Sequence, residues 1–368
     1  MLDRRVLVVG AGPAGLSVAS ELGRFGVRTT VLEQAGAVGA SWRSRYDRLR
    51  LNSSRWFSNL PGQRHPKGTG VFPSRDQMVS YLEGYGSDLD VRVNTRVERI
   101  DRDGDGWSVS TSAGDLGAEQ VVVSSGYAHT PYIPDWPGRD RYDGMLLHVA
   151  AYRNPEPFRD RDVLVVGPGC SGMEIAYDLV EGGAGRVRLA VRTPPNIIIR
   201  NPIGPLLARG IMKLGPRRAD KVMSFVRRRE VGDLSEYGLP EPEEGIISRL
   251  LRLGVAPAIV DKEVIEAIKE RRIEIVGGVE SLDEAGVGLA DGSRIEPEAV
   301  IAATGYRCGL EPVVGHLGVL NERGVPVKPT GDEAAPGLRF IGYMPRPAHI
   351  GLIAREASRT AKAIAATW

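Results

Sequence analysis

The sequence predicts an α/β protein of two dinucleotide-binding, Rossmann-like domains, the first interrupted in sequence by the second. Three observations carry this prediction. An apolar run, a glycine-rich turn and an amphipathic helix occur in succession twice, beginning near residues 6 and 163. The strand after each turn ends in a charged residue, Glu33 in the first copy and Arg192 in the second. A chain of 368 residues is also too long for a single core.

In the first copy, residues 6–9 lead into Gly10-Ala11-Gly12-Pro13-Ala14-Gly15, and Leu16, Ala19, Leu22 and Phe25 then fall at helical spacing. The glycines permit a tight turn and bring bare backbone up to a pyrophosphate. The helix start adds free N–H groups and a partial positive charge. A second strand, 29–32, delivers Glu33 about 20 residues past the glycines, where a carboxylate accepts hydrogen bonds from an adenosine ribose.

Residues 38–61 change character: they are rich in Arg, Ser and aromatics and poor in regular pattern, as a loop wrapping a ligand would be. Ser74 is an N-cap for a helix over 75–85. Residues 91–94 and 107–111 alternate like antiparallel strands, with Asp103-Gly104-Asp105-Gly106 as a turn, and 120–125 is an apolar strand closing on Gly126.

The second copy runs from strand 163–166 through Gly167-Pro168-Gly169-Cys170-Ser171-Gly172 into a helix. Its following strand, 186–191, ends at Arg192 where the first copy has an acid. A carboxylate would repel a 2′-phosphate, whereas a guanidinium binds one bidentately, so this pocket is expected to take NADPH. Arg200 is a second candidate for that phosphate. Residues 201–270 read as helical and basic, with Leu206, Leu207, Ile211, Met212, Met223, Phe225 and Val226 expected to pack a lobe rather than line a channel. Strands return at 273–276, 286–290, 300–306 and 338–343, and a helix spans about 351–366.

Composition bounds the function classes. With 42% hydrophobic and 26% charged residues the chain is ordinarily globular, and 48 basic against 46 acidic residues give a net charge of +2, which points to no nucleic-acid partner. Two cysteines, Cys170 and Cys308, form no CxxC and no disulfide framework, and no apolar run reaches the roughly 18 residues of a membrane span. The expectation is a cytoplasmic protein. Five dispersed histidines suggest no metal site, and no Ser/His/Asp set is discernible.

Taken together, the motifs resemble the class B flavin monooxygenases, the flavin-containing monooxygenase and YUCCA-like family. The fingerprint FxGxxxHxxx(Y/F) is matched by Tyr142, Gly144, His148 and Tyr152, with Tyr in the leading position. The segments SRYDRLRL, FPSRDQMVSYLEGY, VLVVGPGCSGMEIAYDL and ATGY continue the likeness over nearly the whole chain. The Baeyer–Villiger version of the fingerprint ends in Trp, where this chain has Tyr152-Arg153.

The resemblance implies FAD on the first turn and NADPH on the second. It implies an FAD domain over 1–150 and 303–368, split around an NADPH domain over 151–302. Cofactor contacts are expected at Gly10, Gly12, Pro13, Ala14, Gly15, Glu33, Gln34, Ser41, Trp42, Arg48, Leu49, Asn52, Val97, Ser125, Gly126 and Tyr127. Further contacts are expected at Gly167, Gly169, Cys170, Ser171, Gly172, Arg192, Thr193, Arg200, Thr304, Gly305, Tyr306, Gly342, Ile350 and Gly351. Asn52 matches the family asparagine that hydrogen-bonds the oxygenated flavin, a position usually His in plant YUCCA proteins. His148 is expected to link domains rather than act as a base.

The implied reaction uses NADPH and O2 to form a C4a-(hydro)peroxyflavin that oxygenates a small organic substrate, either a soft N or S nucleophile or a carbonyl or 2-oxo acid. Two alternatives stay open from the residues alone: an NADPH-dependent reductase passing electrons to an acceptor, and a non-catalytic flavin or NADPH redox sensor.

Overall fold

The computed structural model describes residues 5–254, 256–344 and 349–368. The chain divides into two units, one of Met1–Arg43, Ser54–Thr130 and Tyr306–Trp368, the other of Ser44–Ser53 and Pro131–Gly305. The short segment 44–53 therefore leaves the first unit to join the second, and residues 131–150 also fold with the second.

In the first unit a six-stranded sheet has the order Thr330–Ala335, Leu338–Ile341, Gln120–Val123, Val6–Val9, Thr29–Leu32, Val91–Arg92. All neighbours are parallel except the first pair. Helices cover a parallel sheet on both faces, so its central strands are continuous apolar runs; Leu7, Val8, Val121 and Val122 are fully buried. Strand order reverses between Val6–Val9 and Gln120–Val123, the switch point where such sheets open a ligand crevice.

Residues 91–94 differ from expectation. Val91–Arg92 is a parallel edge strand paired to Val31 and Leu32. Gly106–Thr111 pairs antiparallel with Val97–Asp103, joined by the expected turn, and on its other edge with Leu116–Ala118. The helix Arg75–Gly86 begins at Ser74 with a full capping box to Gln77.

The second unit repeats the plan. Five parallel strands have the order Glu274–Gly277, Arg186–Val191, Asp162–Val166, Ala299–Ala302, Met145–His148, with the reversal between Asp162–Val166 and Ala299–Ala302. The leading half of the fingerprint builds the edge strand. The Tyr142 ring lies where a side chain on Gly144 would stand, and its hydroxyl donates to the Pro297 carbonyl.

Four helices, Gly204–Met212, Pro216–Glu230, Ile246–Leu253 and Lys262–Lys269, fill 201–270. Here too the packing departs from expectation: Ile211 and Met223 join a small core around Ala219, Ile246 and Ile247, while Leu206, Leu207, Met212 and Phe225 are exposed.

Candidate cofactor and active-site residues

The two glycine-rich turns are built to one plan. Gly10 and Gly167 have φ of +100° and +111°, and a Cβ on either would press on the strand across the switch point, 2.9 Å from the Ser124 carbonyl oxygen and 2.6 Å from that of Ala303. Only glycine satisfies both demands. Gly15 and Gly172 sit where a Cβ would overlap the carbonyl oxygen of the first glycine of the same turn. The middle glycines, Gly12 and Gly169, are different. Their backbones are extended, and an added Cβ would meet no protein atom within 4 Å. Nothing inside the fold requires glycine there, and the space above each backbone is left open.

Helices Pro13–Arg24 and Cys170–Glu181 start from these middle glycines with no side-chain cap and no acid in the first turn. Other helices here, Gly204–Met212, Pro216–Glu230, Ile246–Leu253 and Lys262–Lys269, also lack a side-chain cap from the residue before them, so what sets these two starts apart is an extended glycine with open space above it. Open space over a bare backbone, at an uncapped helix start, fits the diphosphate of a dinucleotide.

Around the first turn, Glu33 accepts from Ala11 N–H at 2.8 Å and from Ala35 N–H at 2.9 Å, which holds its carboxylate beside the turn. Gln34 reaches His129 at 3.3 Å. Ser125 bonds the buried Tyr343 hydroxyl, whose pKa burial pushes up, and Gly126 turns the chain at φ +89° toward Tyr127, which packs edge-on to His349. Val97 lies in the core with Leu7 and Leu32, Gly342 backs onto Ala14, and Gly351 onto the Phe57 carbonyl; Ile350 is buried. Ser41 and Trp42 lie on the short helix Ala40–Arg43 of the same unit. Tyr306 opens that unit's last segment.

Around the second turn, Arg192 and Thr193 are exposed at the C-terminal end of Arg186–Val191. The Thr304 hydroxyl donates to the Tyr132 carbonyl, and Gly305, at φ +90°, accepts from His148 Nε2 at 2.9 Å. Because His148 Nδ1 accepts from Ala150 N–H at 3.1 Å, the ring is neutral with its proton on Nε2. Burial lowers its pKa further. The side chain holds the strand end.

Arg200, expected at a phosphate, is placed elsewhere. Its side chain is 2% exposed and paired to two carboxylates, Glu174 and Asp261, the latter at 2.8 and 2.9 Å. A guanidinium so engaged and so buried is not offered to a ligand.

The segment 44–53 lies against the helix Cys170–Glu181. The Tyr46 hydroxyl donates to Glu174 at 2.5 Å. Arg48 stacks on the Tyr177 ring at 4.6 Å and approaches Asp178 at 4.0 Å. Asn52 meets Cys170 Sγ at 3.5 Å and Arg200 at 3.3 Å, and Leu49 is half-buried in the same segment. Tyr152, the last fingerprint residue, donates to Asp178 at 2.8 Å. Cys170, Glu174, Tyr177 and Asp178 thus form one stripe along the helix, with Ser171 beside Cys170 in its first turn.

Tyr46, Glu174, Asp178 and Asp261 were not singled out from the sequence. The available signal was a pair of acids four residues apart on a helix otherwise apolar enough to be buried. Cys170 Sγ accepts from Asn52 and Ile259 N–H and donates to the Pro257 carbonyl, and burial pushes its thiol up, so it is a structural thiol. Among the described residues no group of three His, Cys, Asp or Glu is placed to hold a metal, and no helix is long and apolar enough to cross a membrane.

Comparison with known proteins agrees with this geometry. The family described as pyridine nucleotide-disulphide oxidoreductase matches residues 7–202. The chain is 32% identical to the indole-3-pyruvate monooxygenase YUCCA1 of Oryza sativa subsp. japonica, over 98% of this chain and 91% of that protein. It is also 32% identical to the probable indole-3-pyruvate monooxygenase YUCCA3 of Arabidopsis thaliana, over 92% and 81%. Among solved structures, a double variant of a flavin monooxygenase from Stenotrophomonas maltophilia superposes with a TM-score of 0.77 at 25% identity, covering 100% of this chain and 99% of that one. The two matched turns, the fingerprint strand and these full-length relatives make the chain a flavin-dependent monooxygenase of the class B family, whose members use FAD and NADPH.

Proposed function

We propose that this enzyme binds FAD at the Gly10–Gly15 turn and NADPH at the Gly167–Gly172 turn, and oxygenates a small 2-oxo acid. The observation that carries the cofactor assignment is the pair of middle glycines, Gly12 and Gly169, each open to solvent above an uncapped helix start. The charged strand ends divide the labour: Glu33 receives ribose hydroxyls, and the exposed Arg192 with Thr193 receives a 2′-phosphate. The Stenotrophomonas variant carries Arg and Thr in place of neighbouring Gln and His, the same dipeptide as Arg192-Thr193.

FAD held at the Gly10–Gly15 turn would supply the hydride acceptor for NADPH and the centre that activates O2. The chain's residues hold the diphosphates by backbone N–H groups and fix the ribose. Asn52, exposed and bearing an Nδ2 hydrogen with no acceptor among the described residues, hydrogen-bonds the reacting group. The relatives' names supply the substrate class: a 2-oxo acid, O2, NADPH and a proton would give the acid one carbon shorter, CO2, NADP⁺ and water.

The test is purification with FAD, then NADPH oxidation in air with indole-3-pyruvate, following labelled CO2. CO2 in proportion to NADPH supports the reading. Sulfoxide or N-oxide from a thioether or amine, with no CO2 from any 2-oxo acid, moves the substrate class to soft nucleophiles. Equal kcat/KM with NADH removes the role given to Arg192.

A further inference from the structure

We propose that Arg200 is a positioning residue for Asn52, held in place for that purpose by Glu174 and Asp261. The proposal rests on the reading of Asn52 as the residue that faces the reacting group.

A terminal amide has two ends of similar shape and opposite hydrogen-bonding sense, so an isolated Asn side chain flips readily. Arg200 removes that freedom. Its Nη2 stands 3.3 Å from Asn52 Oδ1, and because a guanidinium has no acceptor, only the carbonyl end can face it. The NH2 end is thereby turned to Cys170 Sγ, with its second hydrogen available.

The guanidinium is itself over-determined. Nη1 is gripped by both oxygens of Asp261, and Nη2 by Glu174, which also takes the Tyr46 hydroxyl. These partners come from three separate places: the strand region after 258–260, the second turn of the glycine-rich helix, and the segment 44–53 itself. Segment 44–53 is therefore tied at Tyr46 through Glu174 and at Asn52 through Arg200.

A buried charge cluster of this kind is weak evidence for stability, since apolar residues of similar volume commonly do as well. Its best-attested use is to fix one arrangement among several, and here the exposed member whose arrangement it fixes is Asn52.

The experiment uses the FAD-loaded full chain with NADPH in air and no organic substrate, so that NADPH, a proton and O2 yield NADP⁺ and H2O2. Asn52→Ala should raise H2O2 release about tenfold, the loss of one ordinary hydrogen bond. Arg200→Gln should raise it equally, and Arg200→Gln/Asn52→Ala no further. Asp261→Asn, which keeps the buried guanidinium and breaks its two-pronged grip, should give part of the effect and serves if Arg200→Gln does not fold. Amide hydrogen exchange supplies a readout apart from turnover: in Arg200→Gln and Asp261→Asn, peptides covering 44–53 should exchange faster while the two parallel sheets keep their protection.

Additive effects of Arg200→Gln and Asn52→Ala, or unchanged exchange over 44–53, overturn the proposal. Unchanged H2O2 release in Asn52→Ala, with faster exchange over 44–53 in Arg200→Gln, refutes instead the reading of Asn52 and leaves the clamp standing.

Discussion

The middle and last glycines of each turn should respond oppositely to the same substitution. At Gly12 the backbone is extended, φ −87° and ψ −175°, and an alanine methyl would meet no protein atom within 4 Å. Gly12→Ala should therefore leave the apo-protein folded and raise its stability by about 0.4–1 kcal/mol, because alanine restricts the unfolded chain more than glycine does. The methyl would stand where a diphosphate meets bare backbone. Displacing that group costs charge-assisted hydrogen bonds of about 1.5–3 kcal/mol each and part of the helix-start attraction. A net loss of about 3 kcal/mol corresponds to roughly a hundredfold weaker FAD binding.

At Gly15 the methyl would overlap the Gly10 carbonyl and come to 2.6 Å from Ser124 Oγ, so Gly15→Ala should destabilise the apo-protein by about 1–3 kcal/mol or more. Thermal unfolding of the flavin-free protein and titration by flavin fluorescence separate the two. Gly12→Ala with a lowered apo melting temperature, or with FAD affinity equal to wild type, would refute the argument. The second turn supplies an internal check: Gly169→Ala should raise KM for NADPH and leave flavin content unchanged.

Three further outcomes follow from the geometry. Arg192→Gln should raise KM for NADPH roughly 10- to 100-fold, the loss of a charge-assisted pair, with NADH kinetics little altered. Tyr152→Phe should lower stability by about 1–3 kcal/mol, since Asp178, 8% exposed, loses the donor 2.8 Å away. His148 is neutral in the fold with its pKa lowered by burial, so the unfolded chain takes up its proton first as pH falls; its contribution is complete above about pH 6.5 and is lost below that value. The melting temperature of wild type should accordingly drop more between pH 7.5 and 5.5 than that of His148→Gln, and equal drops would refute the assignment.

What could be read from the sequence was set by how local its cause is. The two turns were legible because part of the demand is local, a left-handed φ at Gly10 and Gly167 and the carbonyl of that first glycine against Gly15 and Gly172, and it always selects the same residue type. Ser74 was legible as a cap for the same reason. Val91–Arg92 was misjudged because a two-residue strand carries no sign of its partner's direction; the parallel pairing comes from Val31 and Leu32, some sixty residues earlier. Arg200 was misjudged because the carboxylates that neutralise it, Glu174 and Asp261, lie 26 and 61 residues away. The exposed Leu206 and Phe225 carry the composition of packing residues, and only the helix orientations reveal that they do not pack.

Comparison of the two glycine-rich helices shows how one frame acquires two uses. Pro13 and Cys170 occupy the same first helical position, Ser17 and Glu174 the fifth, Glu21 and Asp178 the ninth. In the first helix these positions bond mainly along their own helix: Pro13 presents no N–H, the Ser17 hydroxyl folds back on the Pro13 carbonyl at 2.6 Å, and Glu21 pairs with Arg24 one turn on. Tyr85 of Arg75–Gly86 is the neighbour that Ser17 and Glu21 face. In the second helix every one of them reaches outward, Cys170 to Asn52 and Ile259, Glu174 to Tyr46 and Arg200, Asp178 to Tyr152 and Arg48. The glycines fix how a dinucleotide is approached, and they leave the far face of the helix unconstrained. In the second copy that face has become the anchor for the segment bearing Asn52, so the helix whose start fits NADPH also holds the side chain proposed to meet the reacting group. Substitutions along 174–178 should on this argument disturb the coupling of NADPH oxidation to product before they disturb NADPH affinity, and the reverse order would show that the stripe serves the helix alone.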